Sequence, residues 1–452
     1  MRKQLLYNAR IVNERKEFDG YLEIGDDGRI ASVGVGNVSA SLVSSYGDSV
    51  IDLQGHLLLP GVIDSHVHFR EPGGEHKADI YSESRAAVAG GVTSFMEMPN
   101  TNPPTTTIEA LADKFERAGK TSVANFSFYI GATKDNIEVL QQVDYSRVPG
   151  VKLFMGSSTG GMLVNDEEAL AEVFKLPVLV AVHCEDEQII RENTELVKAI
   201  CRGKEEEAGI NWHPEIRSVL ACCKSTSYAV ELAKKYGTRL HVLHVTTAPE
   251  LAIILEGGDK VSAEVCVAHL MFSDKDYSRL GSRIKCNPSV KSNVHREVLR
   301  AGLRQGVFST VSTDHAPHTI EEKSGDLFTA PSGMPLVQFS LPLMLNEALR
   351  GEWPLWFVVE KMCHAQAGLY GVESRGFLRE GFAADLVEVD VNDFTEVSND
   401  MILSKCGWSP VEGMCLRSKV KRTWVNGNLV YDDGKGILPD IPSGQPLRFR
   451  QR

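Results

Sequence analysis

The middle of the chain alternates between two textures, and this alternation limits the possible folds more than any other feature. Eight short apolar runs, GVIDSHVHF, VTSFMEM, NFSFYIG, GVKLFMG, PVLVAVHC, LHVLHVT, VSAEVCVAH and FSTVSTD, are mostly separated by segments of helical periodicity. Runs of this kind suit strands buried on both faces, as in a parallel sheet covered by helices. The intervening SESRAAVAGG, TIEALADKFERAG, NDEEALAEVFKL and SVLACCKSTSYAVELAKKYG read as helices, the last with a glycine at its C-cap. Eight βα units favour a closed (β/α)8 TIM-like barrel, an α/β fold, over a doubly wound open sheet. The two ends are different. LLYNARIV, GYLEIGDDGRIASVGV and SVIDLQG at the start, and ADLVEVDV, SKVKRTWVNG and NLVYDDGKG near the finish, are short β-like runs with Asp-Gly and Asn-Gly turns. These ends are expected to combine into one discontinuous small domain.

Composition narrows the function. Sixty acidic residues against 48 basic ones give a net charge of −12, which argues against a nucleic acid or an anionic membrane as partner. The start of the chain has no signal-peptide pattern, and no run approaches a membrane span. The nine cysteines include no CxxC pair, and Cys222 adjoins Cys223, which suits reduced thiols and a cytoplasmic protein.

The apolar runs share a chemical regularity: residues suited to metal binding stand at their C-terminal ends, where barrel enzymes build active sites. His66 and His68 form a His-Val-His motif, whose i, i+2 spacing on a strand points both imidazoles to one side. His183 closes the fifth run, His244 the sixth and Asp314 the eighth. Four histidines and an aspartate are enough donors for two divalent ions, zinc being the natural choice for imidazole and carboxylate ligands. Lys152, in the fourth run, leaves two readings open: an ordinary salt-bridged lysine, or an amine carboxylated by CO2 to an anionic carbamate able to bridge two metals. His241 and His269 read as core or supporting residues. His56, His76, His213, His295 and His364 have no partner pattern and read as structural or surface residues.

With these residues in view, the chain resembles the dihydroorotases of the amidohydrolase superfamily over essentially its whole length. The resemblance is carried by PGVIDSHVHFREPG, GGVTSFMEMPNTNPP, GVKLFMG, VAVHCED, HVLHVTT, KCNPSVKS and VSTDHAPH, in that order. It implies a barrel over residues 56–379 and a small β-sandwich formed by residues 1–55 and 380–452. It also implies a binuclear centre, usually zinc, with His66, His68 and Asp314 on the more buried metal, His183 and His244 on the other, and a carboxylated Lys152 as bridge. The substrate would be N-carbamoyl-L-aspartate or L-dihydroorotate, interconverted with release of water in pyrimidine synthesis by a hydroxide held between the metals. Asp314 would be ligand and acid/base. Arg70 and Asn100 match residues that bind the substrate carboxylate, and Asn287 and His318 match further pocket contacts. Ser289, Lys291 and the segment Ala330 to Gln338 depart from the commonest pattern. The competing expectations are a hydantoinase or allantoinase, and an inactive scaffold subunit. A homo-oligomer is left open.

Overall fold

The computed structural model describes residues 3–156, 162–201, 208–438 and 444–450. The eight apolar runs form strands Val62–Val67, Val92–Glu97, Asn125–Phe128, Val151–Phe154, Leu179–His183, Arg239–Val242, Val261–Cys266 and Thr310–Ser312, here called barrel strands one to eight. Their pairings are parallel. The hydrogen bonding runs in two arcs, strands one to three and strands four to eight, rather than in one continuous ring. Two seams join the arcs. Beyond Tyr129 the third strand continues into Ile130–Gly131, which pairs with Val151 and Lys152. At the other seam Val67 bridges to His315, and the His68 N–H donates to the His315 carbonyl at 2.7 Å. The expected (β/α)8 architecture therefore stands.

Helices Ile80–Ala89, Ile108–Thr121, Glu167–Phe174 and Val219–Tyr236 occupy the segments whose periodicity marked them. Gly237 ends the last at φ 71°, a left-handed conformation that favours glycine, and its N–H reaches back to the Ala233 carbonyl.

The two chain ends meet in one nine-stranded sheet. Leu57–Pro60 pairs parallel with Gln4–Asn13 and antiparallel with Leu386–Asp390, so the block of strands from the start of the chain joins the block from its far end at this one seam. The period-2 pattern of strands sets its two faces. Leu57, Leu59, Val387 and Val389 join the barrel's apolar core, while Leu58, Leu386 and Trp424 form the core proper to the sheet. The Asn426-Gly427 turn has φ of 52° and 77°, the two positive values that a tight hairpin of matching twist requires.

A final segment returns to the barrel. The Phe126 N–H donates to the Gln445 carbonyl, and the Leu447 N–H donates to the Phe126 carbonyl. Leu447 and Phe449 pack with Ile63, Met96 and Leu179 inside the N-terminal end of the barrel. That end is filled with apolar side chains, which leaves the C-terminal mouth for chemistry. Among the described residues no helix is long and apolar enough to cross a membrane.

Candidate metal centre and active site

At the C-terminal mouth a cavity of about 150 Å³ is lined by His66, His68, Arg70, Asn100, Lys152, His183, His244, Asn287 and Asp314, together with Phe154 and the backbone around Gly333. Residues far apart in sequence thus converge from barrel strands one, two, four, five, six, seven and eight or the segments that follow them. The cavity brings together all but one of the candidate site residues. The exception is His318, which lies behind Arg70, with its Nε2 3.0 Å from Arg70 Nη2 and 3.1 Å from the Ser332 carbonyl oxygen.

The geometry fits divalent ions. His66 Nε2 and His68 Nε2 lie 3.2 and 3.0 Å from one carboxylate oxygen of Asp314, and the donor atoms of the three residues fall within 4.8 Å of one another. The opposite nitrogen of each ring is held by an acceptor: His66 Nδ1 by Glu264 at 2.5 Å and His68 Nδ1 by the Asn100 side-chain oxygen at 2.8 Å. A neutral imidazole that donates through Nδ1 presents a lone pair at Nε2. Two lone pairs then face a carboxylate oxygen, an arrangement that is repulsive until a cation lies among them. Burial holds the His68 pKa down to about 4, which keeps the ring neutral at pH 7 as a metal ligand must be. Burial pushes the Asp314 carboxyl upward, but the neighbouring His66 and His68 outweigh it, and the net pKa lies below the usual carboxylate value.

His183 Nδ1 and His244 Nε2 face each other at 2.9 Å. Behind His183, Nε2 meets Glu185 at 3.0 Å, and Glu185 is itself paired with Arg217. Burial pulls both histidines below the ordinary imidazole range. His244 Nδ1 is buried with no hydrogen-bond partner among the described residues. Lys152 is 1% exposed, its Nζ lies 4.4 Å from the Phe154 ring centroid, and it forms no ion pair among the described residues. Burial draws its pKa down to about 7, so a substantial neutral fraction exists near neutral pH.

Arg70 is the site's main cation. Its Nε donates to the Pro317 carbonyl at 3.1 Å, and no carboxylate pairs with it among the described residues. Burial lowers its pKa to about 10, which leaves it charged. Asn287 Oδ1 is buried and has no hydrogen-bond partner among the described residues.

Sequence reasoning missed two carboxylates. Glu264, fully buried in barrel strand seven, holds His66 and also accepts the His244 backbone N–H at 3.1 Å, so one side chain braces both halves of the centre. Glu185 braces His183. A charged residue inside an otherwise apolar strand, as in VSAEVC, was the available signal for Glu264. Of the other histidines, His241 is buried beneath the site, 3.7 Å from Glu264, and His269 Nε2 contacts the Pro288 carbonyl.

This fold and donor set define a metal-dependent hydrolase of the barrel type. The amidohydrolase family model matches residues 57–430, and the chain belongs to that family. Its curated relatives narrow the class. The chain is 35% identical over 435 residues to the dihydroorotase of Methanosarcina acetivorans, covering 91% of this chain and 90% of that one. It is 34% identical to the dihydroorotase of Halobacterium salinarum, covering 90% and 94%. Among solved structures, an L-hydantoinase (dihydropyrimidinase) from Arthrobacter aurescens superposes with a TM-score of 0.91 at 29% identity, covering 99% of this chain and all of the other. A D-hydantoinase from Thermus sp., at 22% identity and a TM-score of 0.87 with 99% of each chain covered, shares the fold.

Proposed function

We propose that the protein catalyses the reversible cyclisation of N-carbamoyl-L-aspartate to L-dihydroorotate and water, the dihydroorotase reaction of pyrimidine synthesis. The observation that carries this reading is Arg70, a half-buried guanidinium with no carboxylate partner among the described residues, on the wall of a metal-ligand cavity. Dihydroorotate brings the missing carboxylate; hydantoin and allantoin do not. The identity to curated dihydroorotases over most of the chain agrees. The hydantoinase neighbours favour the second reading, a cyclic amidase acting on uncharged rings.

Two divalent ions, which we assign as zinc, would be held by His66, His68 and Asp314 and by His183 and His244, and would supply an acidified water and polarise the ring amide carbonyl. Lys152 would be carboxylated: its neutral amine adds to CO2, a proton leaves, and the resulting carbamate offers two anionic oxygens. What supports this is a buried lysine with no carboxylate partner among the described residues, facing the same cavity. Arg70 would grip the substrate carboxylate through paired donors, with Asn100 beside it. Asn287 Oδ1 would accept a ring N–H, and His318 would hold Arg70 from behind. Asp314 would take a proton from the attacking water and return it to the departing ring nitrogen; in cyclisation it would take the ureido N–H proton instead.

The test is turnover of dihydroorotate, hydantoin and allantoin by purified protein whose zinc content is measured alongside. Preference for hydantoin or allantoin would transfer the assignment to the second reading.

A further inference from the structure

The segment from Leu327 to Gly333 runs along the rim of the cavity, and Pro331, Ser332 and Gly333 line it. The segment has no helix or strand of its own, and two lysines hold it. Lys323 is 1% exposed, and its Nζ donates to the carbonyls of Pro331 at 2.8 Å, Gly333 at 3.0 Å and Lys285 at 3.2 Å. Buried Lys285 donates through Nζ to the carbonyls of Leu327, at 2.7 Å, and Ala330. The Gly333 N–H returns a bond to the Lys285 carbonyl at 2.8 Å, so strap and lysines form one unit. All three donors of Lys323 are therefore spent on carbonyl oxygens. Neither ammonium pairs with a carboxylate among the described residues.

Burying a cation without a counter-ion is costly. The cost shows in both lysines: burial draws Lys323 down to about 7, with Lys285 and Arg70 adding to it, and draws Lys285 down to about 8, with Arg217 adding. The three carbonyl oxygens around Lys323 Nζ need the three N–H bonds of an ammonium, where a neutral amine has two, so the strap itself holds the charge in place; together with Lys285, and with Arg70, which pairs with no carboxylate among the described residues, it favours an anion on the cavity side of the 331–333 backbone.

We propose that Lys285 and Lys323 are specificity-determining residues, whose fixed positive field through the 331–333 backbone selects a substrate bearing a carboxylate over the same ring without one. The inference rests on the dihydroorotase reading of the site. In a low-dielectric wall such a field acts over several ångströms with little screening. The bound carboxylate completes the missing charge pairing.

Lys323→Gln removes the charge but keeps donors for the strap carbonyls, and Lys285→Met removes charge and donors together. Each variant is compared with the wild type for KM of dihydroorotate, for inhibition by the uncharged dihydroorotate methyl ester, for metal content and for thermal midpoint. The expected result is a preference for acid over ester that falls about tenfold in each variant, through KM more than kcat, at unchanged metal content. An unchanged preference, or parallel weakening of acid and ester, would overturn the charge role. If Lys323→Gln does not melt cooperatively, Lys285→Met decides. A wild type that turns over hydantoin but not dihydroorotate would instead overturn the functional reading itself.

Discussion

Replacing Arg70 by methionine removes the guanidinium while keeping a long apolar stem in the cavity wall. In the wild type, Arg70 Nε is fixed by the Pro317 carbonyl at 3.1 Å and Nη2 by His318 at 3.0 Å, so the fork is pre-set and little side-chain entropy remains to be lost on binding. On the proposed reading, the substrate carboxylate would be the counter-ion that this half-buried cation lacks among the described residues. Breaking such a pair costs roughly 2–5 kcal/mol. At about 1.36 kcal/mol per tenfold, kcat/KM for dihydroorotate should fall by roughly 30- to 5,000-fold. Metal content should stay the same, because Arg70 touches none of the proposed ligands through a side-chain hydrogen bond. Arg70→Lys should recover only part of the loss, since a point charge restores attraction without the fork that orients the ring. The assay measures dihydroorotate hydrolysis, carbamoyl aspartate cyclisation and bound zinc in all three proteins. Wild-type kinetics in Arg70→Met would refute the contact, and loss of zinc together with activity would show that Arg70 supports the metal site instead.

Three further outcomes are expected. Glu264→Gln should weaken metal binding by about 10- to 100-fold, because its carboxylate fixes the His66 ring and the His244 backbone; metal titration checks this, and unchanged affinity would remove Glu264 from the site. Asp314→Asn should retain the fold and lose nearly all turnover in both directions, since an amide cannot carry the proton; near wild-type rates would require another base. Lys152→Ala should be inactive and partly restored by small carboxylic acids that supply the missing oxygens. An experimental map with an unmodified Lys152 beside two occupied metal positions would count against its carboxylation.

The architecture was legible because parallel barrel strands are buried on both faces and so appear as unbroken apolar runs, and because the metal-type residues sit at the ends of those runs. Features that depend on tertiary encounters were not legible in the same way. Glu264 holds groups on or beyond barrel strands one and six, and nothing local in VSAEVC reveals them; Glu185 holds His183 two residues before it in HCED, but its other partner, Arg217, comes from a distant segment. The segment around Gln445 and Leu447 has no strong pattern of its own, yet its backbone pairs with Phe126 and its side chains fill the barrel end.

The backbone at the site went further and opposed its local signals. Arg70, His244 and Asp314 each lie two or three residues beyond the end of a barrel strand and have φ of 72°, 36° and 50°, a region that side chains other than glycine and asparagine seldom adopt. Each such residue costs of order 1–3 kcal/mol and persists only where surrounding structure over-determines it. Here the constraint is visible: Pro317 and His318 hold Arg70, Glu264 holds the His244 backbone, and Asp64 receives both the N–H and the hydroxyl of Thr313 beside Asp314. A sequence reading assigns glycine to such positions, so it detects these side chains only by their chemistry. Three strained residues, one proposed for the substrate and two for the metals, converge on a single cavity, which is where a chain under selection for catalysis keeps conformations that packing alone would remove.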